Sequence, residues 1–505
     1  MRNRYTVSSV IDALGVSRFT LITFFFLGFA MVFDGYDYMI INVTNTNVAT
    51  SLLGTDFDRM AMGTLTTWSV LGMVVGGATG GILSDRFGRK TVLVGAIAFY
   101  ALFTLPQAFA QDYLFFALFR TIAGFGIGSC IPVVTTIFSE TMPTNKRGLF
   151  ITFGMAFMVG GWVLAGVIGG PINNATNQLA PFCEPIAVAQ ADGSILHTYA
   201  NWRIVFLIGA IPLAYALLLL VLMKETPHWY ANSGRISQAL ERLNQIERSA
   251  GRRPSELDPK LLIIPPKPAK TSPTVLLSRR YILITCGLWS TYFIGQFCIY
   301  GMNTWLPTWF RGIGYSPAEA TALLTWNNVA AIVSNISVGF VSDLVGRRRN
   351  LGFAWLFAIG AIVLCSLFVV PGNFVLCIAL MLLFGFALNY AITAIQPIMP
   401  ESYPTQIRNM GVSWSQAFAR LGAAISPVVL GGLASSAFFA QRGAAGEVLV
   451  DAAGKPVTDW SMLVLVLVIP LAIAFVCTLV FIRKETKGIS MDQLQEEEEG
   501  GRAHA

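Results

Sequence analysis

The chain has 505 residues, of which 54% are hydrophobic and only 12% charged, with a formal net charge of +7. Soluble globular proteins carry about 25% charged residues, so this composition excludes an ordinary soluble domain and fits a chain that lies in lipid. The basic residues sit in connecting segments on one side rather than in a patch, which argues against a nucleic-acid partner.

Twelve apolar runs of roughly 18–28 residues, each able to cross a hydrocarbon core of about 30 Å, lie near 19–45, 60–83, 91–110, 113–139, 149–170, 202–223, 281–308, 318–342, 351–370, 373–399, 410–439 and 460–482. Backbone polar groups in lipid must be paired within their own segment, so the runs predict helices. Arg2, Arg4 and Arg18 precede the first run, which is long and has no convincing cleavage site; it reads as a permanent span. Threading the chain through a membrane puts 27 of the 34 Lys and Arg residues on one side, which makes that side and both termini cytoplasmic. The expectation is an integral, multi-pass protein of the cell membrane that acts as a monomer.

In chain order, the first run carries Asp34 and Asp37, three residues apart and so on one helix face. An Asp at mid-membrane costs about 2.5–3.5 kcal/mol on insertion scales. Such a pair points to proton coupling; the alternative is a wet cavity or a helix broken at Gly35. Asn42 and Asn45 follow as neutral cavity candidates. The fourth run holds Arg120 before Gly124, Gly126 and Gly128; its permanent charge calls for Asp34 or Asp37 as partner. The loop 171–201 contains Asp192-Gly193 and reads as a β-hairpin, as does 441–459. Within the linker 224–280, residues 235–250 read as an amphipathic helix, and 254–273 is proline-rich. Tyr292, Gln296, Tyr300 and Asn303 make one polar stripe on the seventh run. Trp326, Asn327 and Asn328 lie on the eighth, and Asn389, Tyr390 and Gln396 on the tenth. On the eleventh, Arg420 follows Trp414, Gln416 and Phe418. A guanidinium among aromatic residues suits an organic carboxylate; a place at one mouth of the helix bundle is the other reading. The tail run Glu496–Glu499 reads as solvated. Cys183 stands alone in a loop read as exposed, and the other six cysteines fall in apolar runs as packing residues. No metal, cofactor or enzyme constellation is expected; His197, His228 and His504 have no ligand spacing.

The chain also repeats itself. Gly80–Lys90 reads GGILSDRFGRK and Ser337–Arg349 reads SVGFVSDLVGRRR, with Asp85 and Asp343 separated by 258 positions. Glu140 with Arg147 recurs as Glu401 with Arg408, and Lys224-Glu-Thr as Lys484-Glu-Thr, at nearly the same offset. Two similar membrane halves follow: 1–223 and 281–483, joined by the linker 224–280 and ending in a tail 484–505. Asp85, Arg86, Arg89, Glu140, Arg147, Asp343, Arg347, Glu401 and Arg408 are candidates for a cytoplasmic gate, or for simple topology determinants.

The Gly81–Lys90 loop, its second copy and the Arg120 glycine run resemble the major facilitator superfamily, across essentially all twelve spans; the second copy has Leu344 where that family often has Arg. Asp34-Gly-Tyr-Asp37 resembles the first-span signature of aromatic acid:proton symporters. The segments 224–235 and 484–494 look like the domain-end motifs of sugar porters and organic ion carriers, while GQFCIYGMN at 295–303 lacks the paired glutamines of sugar porters. The resemblance implies an all-α membrane fold, two pseudo-symmetric six-helix halves, a small organic anion and protons as partners, and coupling through Asp34, Asp37 and Arg120. A sugar or organic-cation carrier, and a membrane sensor without net transport, remain the alternatives.

Overall fold

The computed structural model describes residues 5–54, 59–144, 146–189, 195–252, 259–262, 272–370, 372–403, 407–442, 448–449 and 457–482. A short helix α1 (Val7–Leu14) precedes six spans: α2 (Arg18–Leu53), α3 (Arg59–Phe87), α4 (Arg89–Phe109), α5 (Tyr113–Thr141), α6 (Arg147–Asn173) and α7 (Trp202–Leu222). Two helices follow, α8 (Pro227–Asn232) and α9 (Ile236–Ser249). Six more spans complete the chain: α10 (Ile282–Gly312), α11 (Pro317–Ser342), α12 (Arg347–Phe368), α13 (Phe374–Glu401), α14 (Met410–Ala434) and α15 (Trp460–Phe481). The described residues thus contain the twelve apolar helices that the sequence predicts.

Local chemistry sets the boundaries. Asp112 caps α5 by accepting from Phe115 N at 2.8 Å, and Ser316 with Glu319 forms a capping box on α11. The two motif copies turn on the same device: Gly88 (φ 107°) separates α3 from α4, and Gly346 (φ 103°) separates α11 from α12. Side-chain-bearing residues rarely enter that region, which explains a glycine at the same place in each copy. The first span runs about two turns past the predicted end at 45. Its polar extension is held by side-chain bonds: Asn47 Nδ2 donates to Asn173 O at 3.0 Å, and Ser51 Oγ to Glu184 Oε1 at 2.8 Å.

The chain divides into two compact units. The first comprises residues 1–41, 68–169 and 202–267, and the second 42–67, 170–201 and 268–505. Within the first, α3 and α5 cross backbone to backbone, because a Cβ at Gly72, Gly76, Gly124 or Gly128 would strike the facing main chain. Also within it, α1 lays Val7 and Ile11 against Ala231, Ala239, Leu240 and Leu243 of α8 and α9. The amphipathic pattern foretold α9; α1 was not anticipated, being only eight residues long. Within the second unit, Asn42 Oδ1 accepts from Thr304 Oγ1 at 3.1 Å, Asn45 Nδ2 donates to Thr304 O at 2.8 Å, and Thr67 Oγ1 donates to Ala424 O at 2.8 Å. These bonds tie one end of α2 and α3 to α10 and α14.

The expected hairpin in 171–201 is present as Pro185–Ala189 antiparallel to Ile195–Tyr199, with Ala187 opposite His197. In the other long loop, isolated bridges join Ala440 to Thr458 and Arg442 to Val448; most of that loop lies outside the described residues, as do most of 254–273 and the tail with Glu496–Glu499. Cys183 corrects the sequence reading. It is fully buried, because the segment before the hairpin folds over itself and Gln178 Nε2 donates to Cys183 O at 2.8 Å.

Candidate functional site

In the first unit, α2 approaches α6 so closely that a Cβ at Gly35 would strike Met158 O and one at Gly161 would strike Val32 O. This contact leaves the acidic turn of α2 facing α4 and α5. Asp34 and Asp37 are 1% and 0% exposed. Arg120 donates from Nη1 to Asp37 Oδ2 at 3.0 Å and from Nη2 to Asp37 O at 2.6 Å, while Thr104 Oγ1 donates to Asp37 Oδ1 at 2.9 Å. The guanidinium also lies 5.8 Å from the Phe206 ring. Asp34 is hydrogen-bonded by the Cys130 thiol, with Tyr100 nearby. The three groups named from sequence are thus together, and Asp37 rather than Asp34 is the salt-bridge partner of Arg120. They hold one cation against two carboxylates, so a proton taken up at the acidic pair brings them to neutrality. Cys130 and Thr104 were not foreseen as partners; each falls in an apolar run and shows no spacing signal.

In the second unit, the α10 stripe meets α14. Tyr292 Oη donates to Gln416 Oε1 at 3.4 Å, is bonded by Gln296, and lies within electrostatic reach of Arg420. Trp289 stacks on Phe418 with centroids 4.1 Å apart and planes 17° apart, and Trp414 adjoins at 6.2 Å. Two buried polar atoms here, Trp289 Nε1 and Gln296 Oε1, make no hydrogen bond. Trp289 was missed, although it continues the stripe one turn before Tyr292.

The other candidates disperse. Asn303 and Asn327 bond at 3.4 Å, and Asn327 bonds Asn328 at 3.4 Å, forming a buried amide row. Tyr390 donates to Asn350 of α12 at 2.8 Å, and Asn389 donates to Gly385 O one turn back on its own helix at 2.9 Å. Asn42 and Asn45 are taken up by Thr304, as described. Tyr300 is half-buried, Gln396 is exposed in the second half of α13, and Trp326 is 42% exposed. A further bond, Thr393 Oγ1 to Asn335 Oδ1 at 2.7 Å, lies among residues that sequence reasoning passed over.

At the basic end of the first unit, Arg89 binds Asp85 at 2.6 Å and Glu140 at 2.9 Å, and Thr226 Oγ1 donates to the other Glu140 oxygen at 2.6 Å. The Glu225 carboxylate accepts the backbone N–H groups of Arg89, Lys90 and Thr226 at 3.0, 3.1 and 3.0 Å, capping α4; burial pushes it above the usual carboxylate range. Arg147 turns instead to Thr144 Oγ1 at 3.4 Å, and Arg86 is exposed over Phe87. In the second unit, Arg347 binds Glu401 at 3.2 Å and Arg408 Nε donates to Tyr403 O at 3.4 Å. The Asp343 side chain lies outside the described atoms. Arg89–Glu140 is an ion pair of the first unit and Arg347–Glu401 one of the second.

The family model of the Major Facilitator Superfamily matches residues 27–427 and 311–501, and the chain belongs to that superfamily. It is a multi-pass membrane transporter, not an enzyme. Among its relatives, the niacin transporter of Acinetobacter baylyi is 29% identical over 84% of this chain and 89% of its own length. The gallate transporter of Pseudomonas putida is 29% identical over 80% and 83%. The 4-hydroxybenzoate transporter of the same organism is 29% identical over 72% and 76%. Among solved structures, the xylose transporter XylE of E. coli superposes with a TM-score of 0.70 over 94% of this chain and 100% of that one, at 16% identity.

Proposed function

We propose that this transporter carries a small organic carboxylate, of aromatic type, together with a proton, by alternating access. The observation that carries the substrate reading is the α10–α14 cluster: one guanidinium, Arg420, beside the Tyr292 phenol and the Gln296 and Gln416 amides, with Trp289 and Phe418 stacked alongside. A guanidinium binds a carboxylate through paired N–H donors, and flat indole and phenyl faces suit an aromatic ring. The named relatives carry niacin, gallate and 4-hydroxybenzoate, each an aromatic carboxylic acid, which supports the same class. The buried trio of Asp34, Asp37 and Arg120 supports proton coupling. Protonation at the acidic pair loosens the hold on Arg120, and the freed cation favours a different packing of α2 against α5.

The halves are 1–223 and 281–483, with 224–280 between them and 484–505 as tail. The basic face is cytoplasmic, both termini lie there, the membrane is the cell membrane, and one chain suffices. Asp85, Arg89 and Glu140 in the first unit, and Arg347 and Glu401 in the second, are the candidate gate residues of this reading. The test is uptake into proteoliposomes of labelled 4-hydroxybenzoate, nicotinate, xylose and a quaternary amine, with and without an inward proton gradient. Accumulation of an acid alone, and only with the gradient, is expected; accumulation of the sugar or the amine instead overturns the reading.

A further inference from the structure

The basic end of the first unit holds a second feature, remote from the residues assigned to substrate or proton. A cavity of about 910 Å³ lies where α4 and α7 meet α8 and α9. Part of its wall is apolar and belongs to the spans: Phe87, Val94 and Leu220, with Phe87 and Leu220 more than half exposed. Five basic side chains, Arg86, Lys90, Lys224, Arg235 and Arg242, also line it, against two acidic ones, Glu225 and Glu241.

The acids that line it do not neutralise these cations. Glu225 is taken by three backbone N–H groups, as described, and Glu241 Oε1 accepts from Gln245 Nε2 at 3.3 Å. Among the described residues none of the five cations is paired with a carboxylate. Lys224 Nζ and Arg242 Nη1 both donate to one neutral oxygen, Gln245 Oε1, at 3.1 Å each. Lys90 Nζ reaches only Leu220 O at 2.7 Å, and the Arg235 guanidinium lies over the Trp229 ring at 5.2 Å. The buried Arg242 Nε makes no hydrogen bond, and burial holds that guanidinium below its ordinary range. Two cations converging on one uncharged acceptor repel each other. A phosphate between them would replace that repulsion with charge-assisted bonds.

We infer that this cavity binds the anionic headgroup of a membrane phospholipid. The apolar wall formed by span ends favours a lipid over a soluble anion, since acyl chains can lie along Leu220 while the phosphate meets Lys224 and Arg242. Basic pockets at the ends of membrane helices are suited to such headgroups. The inference depends on the membrane assignment of α4 and α7 and not on which substrate is carried.

The test is native mass spectrometry of the full chain in detergent with phosphatidylglycerol or phosphatidylcholine added. Phosphatidylglycerol is expected to be retained about tenfold more than phosphatidylcholine, and Lys224→Gln/Arg242→Gln to remove that preference. Lys224→Gln alone, at an exposed side chain, is expected to reduce it with an unchanged melting temperature, which guards against a misfolded double variant. Equal retention of the two lipids, or an unchanged preference in both variants, overturns the inference. So does displacement by millimolar inorganic phosphate, which marks a soluble-anion site. A preference that appears only after removal of 484–505 overturns it too, by making the acidic tail the occupant.

Discussion

Arg120 and Asp37 are fully buried partners, so removing either leaves the other without its counter-charge. Breaking such a pair costs roughly 3–5 kcal/mol, whereas replacing both members by apolar residues of similar size is close to neutral. Arg120→Met alone is therefore expected to lower the melting temperature sharply, and Arg120→Met with Asp37→Leu to restore much of it; thermal unfolding in detergent measures both. In the α10–α14 cluster, Trp289→Ala removes the ring stacked on Phe418. It is expected to weaken aromatic-acid binding by roughly two- to tenfold, in line with about 0.5–1.5 kcal/mol for an aromatic pair, as read by calorimetric titration. At this scale the sequence revealed the charged residues and little else. An Asp or Arg inside an apolar run is conspicuous, and its cost in lipid makes it a functional candidate. Asn42, Asn45 and Tyr390 look similar in one dimension yet bond neighbouring helices, and Asn389 bonds its own helix one turn back. Which amides face a cavity depends on helix rotation, and a stripe of polar residues does not encode that.

Among the elements, α1 has the clearest testable behaviour. It is fastened by Asp12, which accepts from Thr144 N at 2.7 Å and Thr144 Oγ1 at 2.8 Å, and by Ser8 Oγ, 3.0 Å from His228 Nε2. Burial holds His228 below its ordinary value of 6.5; Glu140 opposes that shift, and Arg147 and Arg89 add to it. The folded state thus favours the neutral imidazole. The stability this contributes is present above the ordinary value and is lost as pH falls below it. Amide exchange across residues 7–14, corrected for intrinsic rates, is expected to speed up between about pH 7 and pH 5, and His228→Gln to flatten that dependence. The two motif glycines make a second case. Gly88→Ala forces a side chain into a left-handed backbone and against Glu225, with an expected loss of about 1–3 kcal/mol by thermal unfolding. The twelve spans were readable because lipid demands uninterrupted apolar length. The extension of α2 to Leu53 was not, because its polar residues are satisfied by chain segments more than a hundred residues away.

Across the whole chain, the long repeat and the glycine motifs carry the fold, and the family match agrees with them. Function is less evenly encoded. The acidic pair and Arg120 are conspicuous as charge inside an apolar span, and the proposed coupling role rests on them, while the proposed substrate class rests on one arginine and its aromatic neighbours. The central claim is that Asp34 and Asp37 carry the proton. The direct test is accumulation of a labelled aromatic carboxylate in proteoliposomes driven by an inward proton gradient, comparing the native chain with Asp34→Asn, Asp37→Asn and the double substitution. The account predicts gradient-driven accumulation by the native chain and its loss in the double variant, with protein correctly inserted. Accumulation by the double variant at the native level and with the native pH dependence would contradict it.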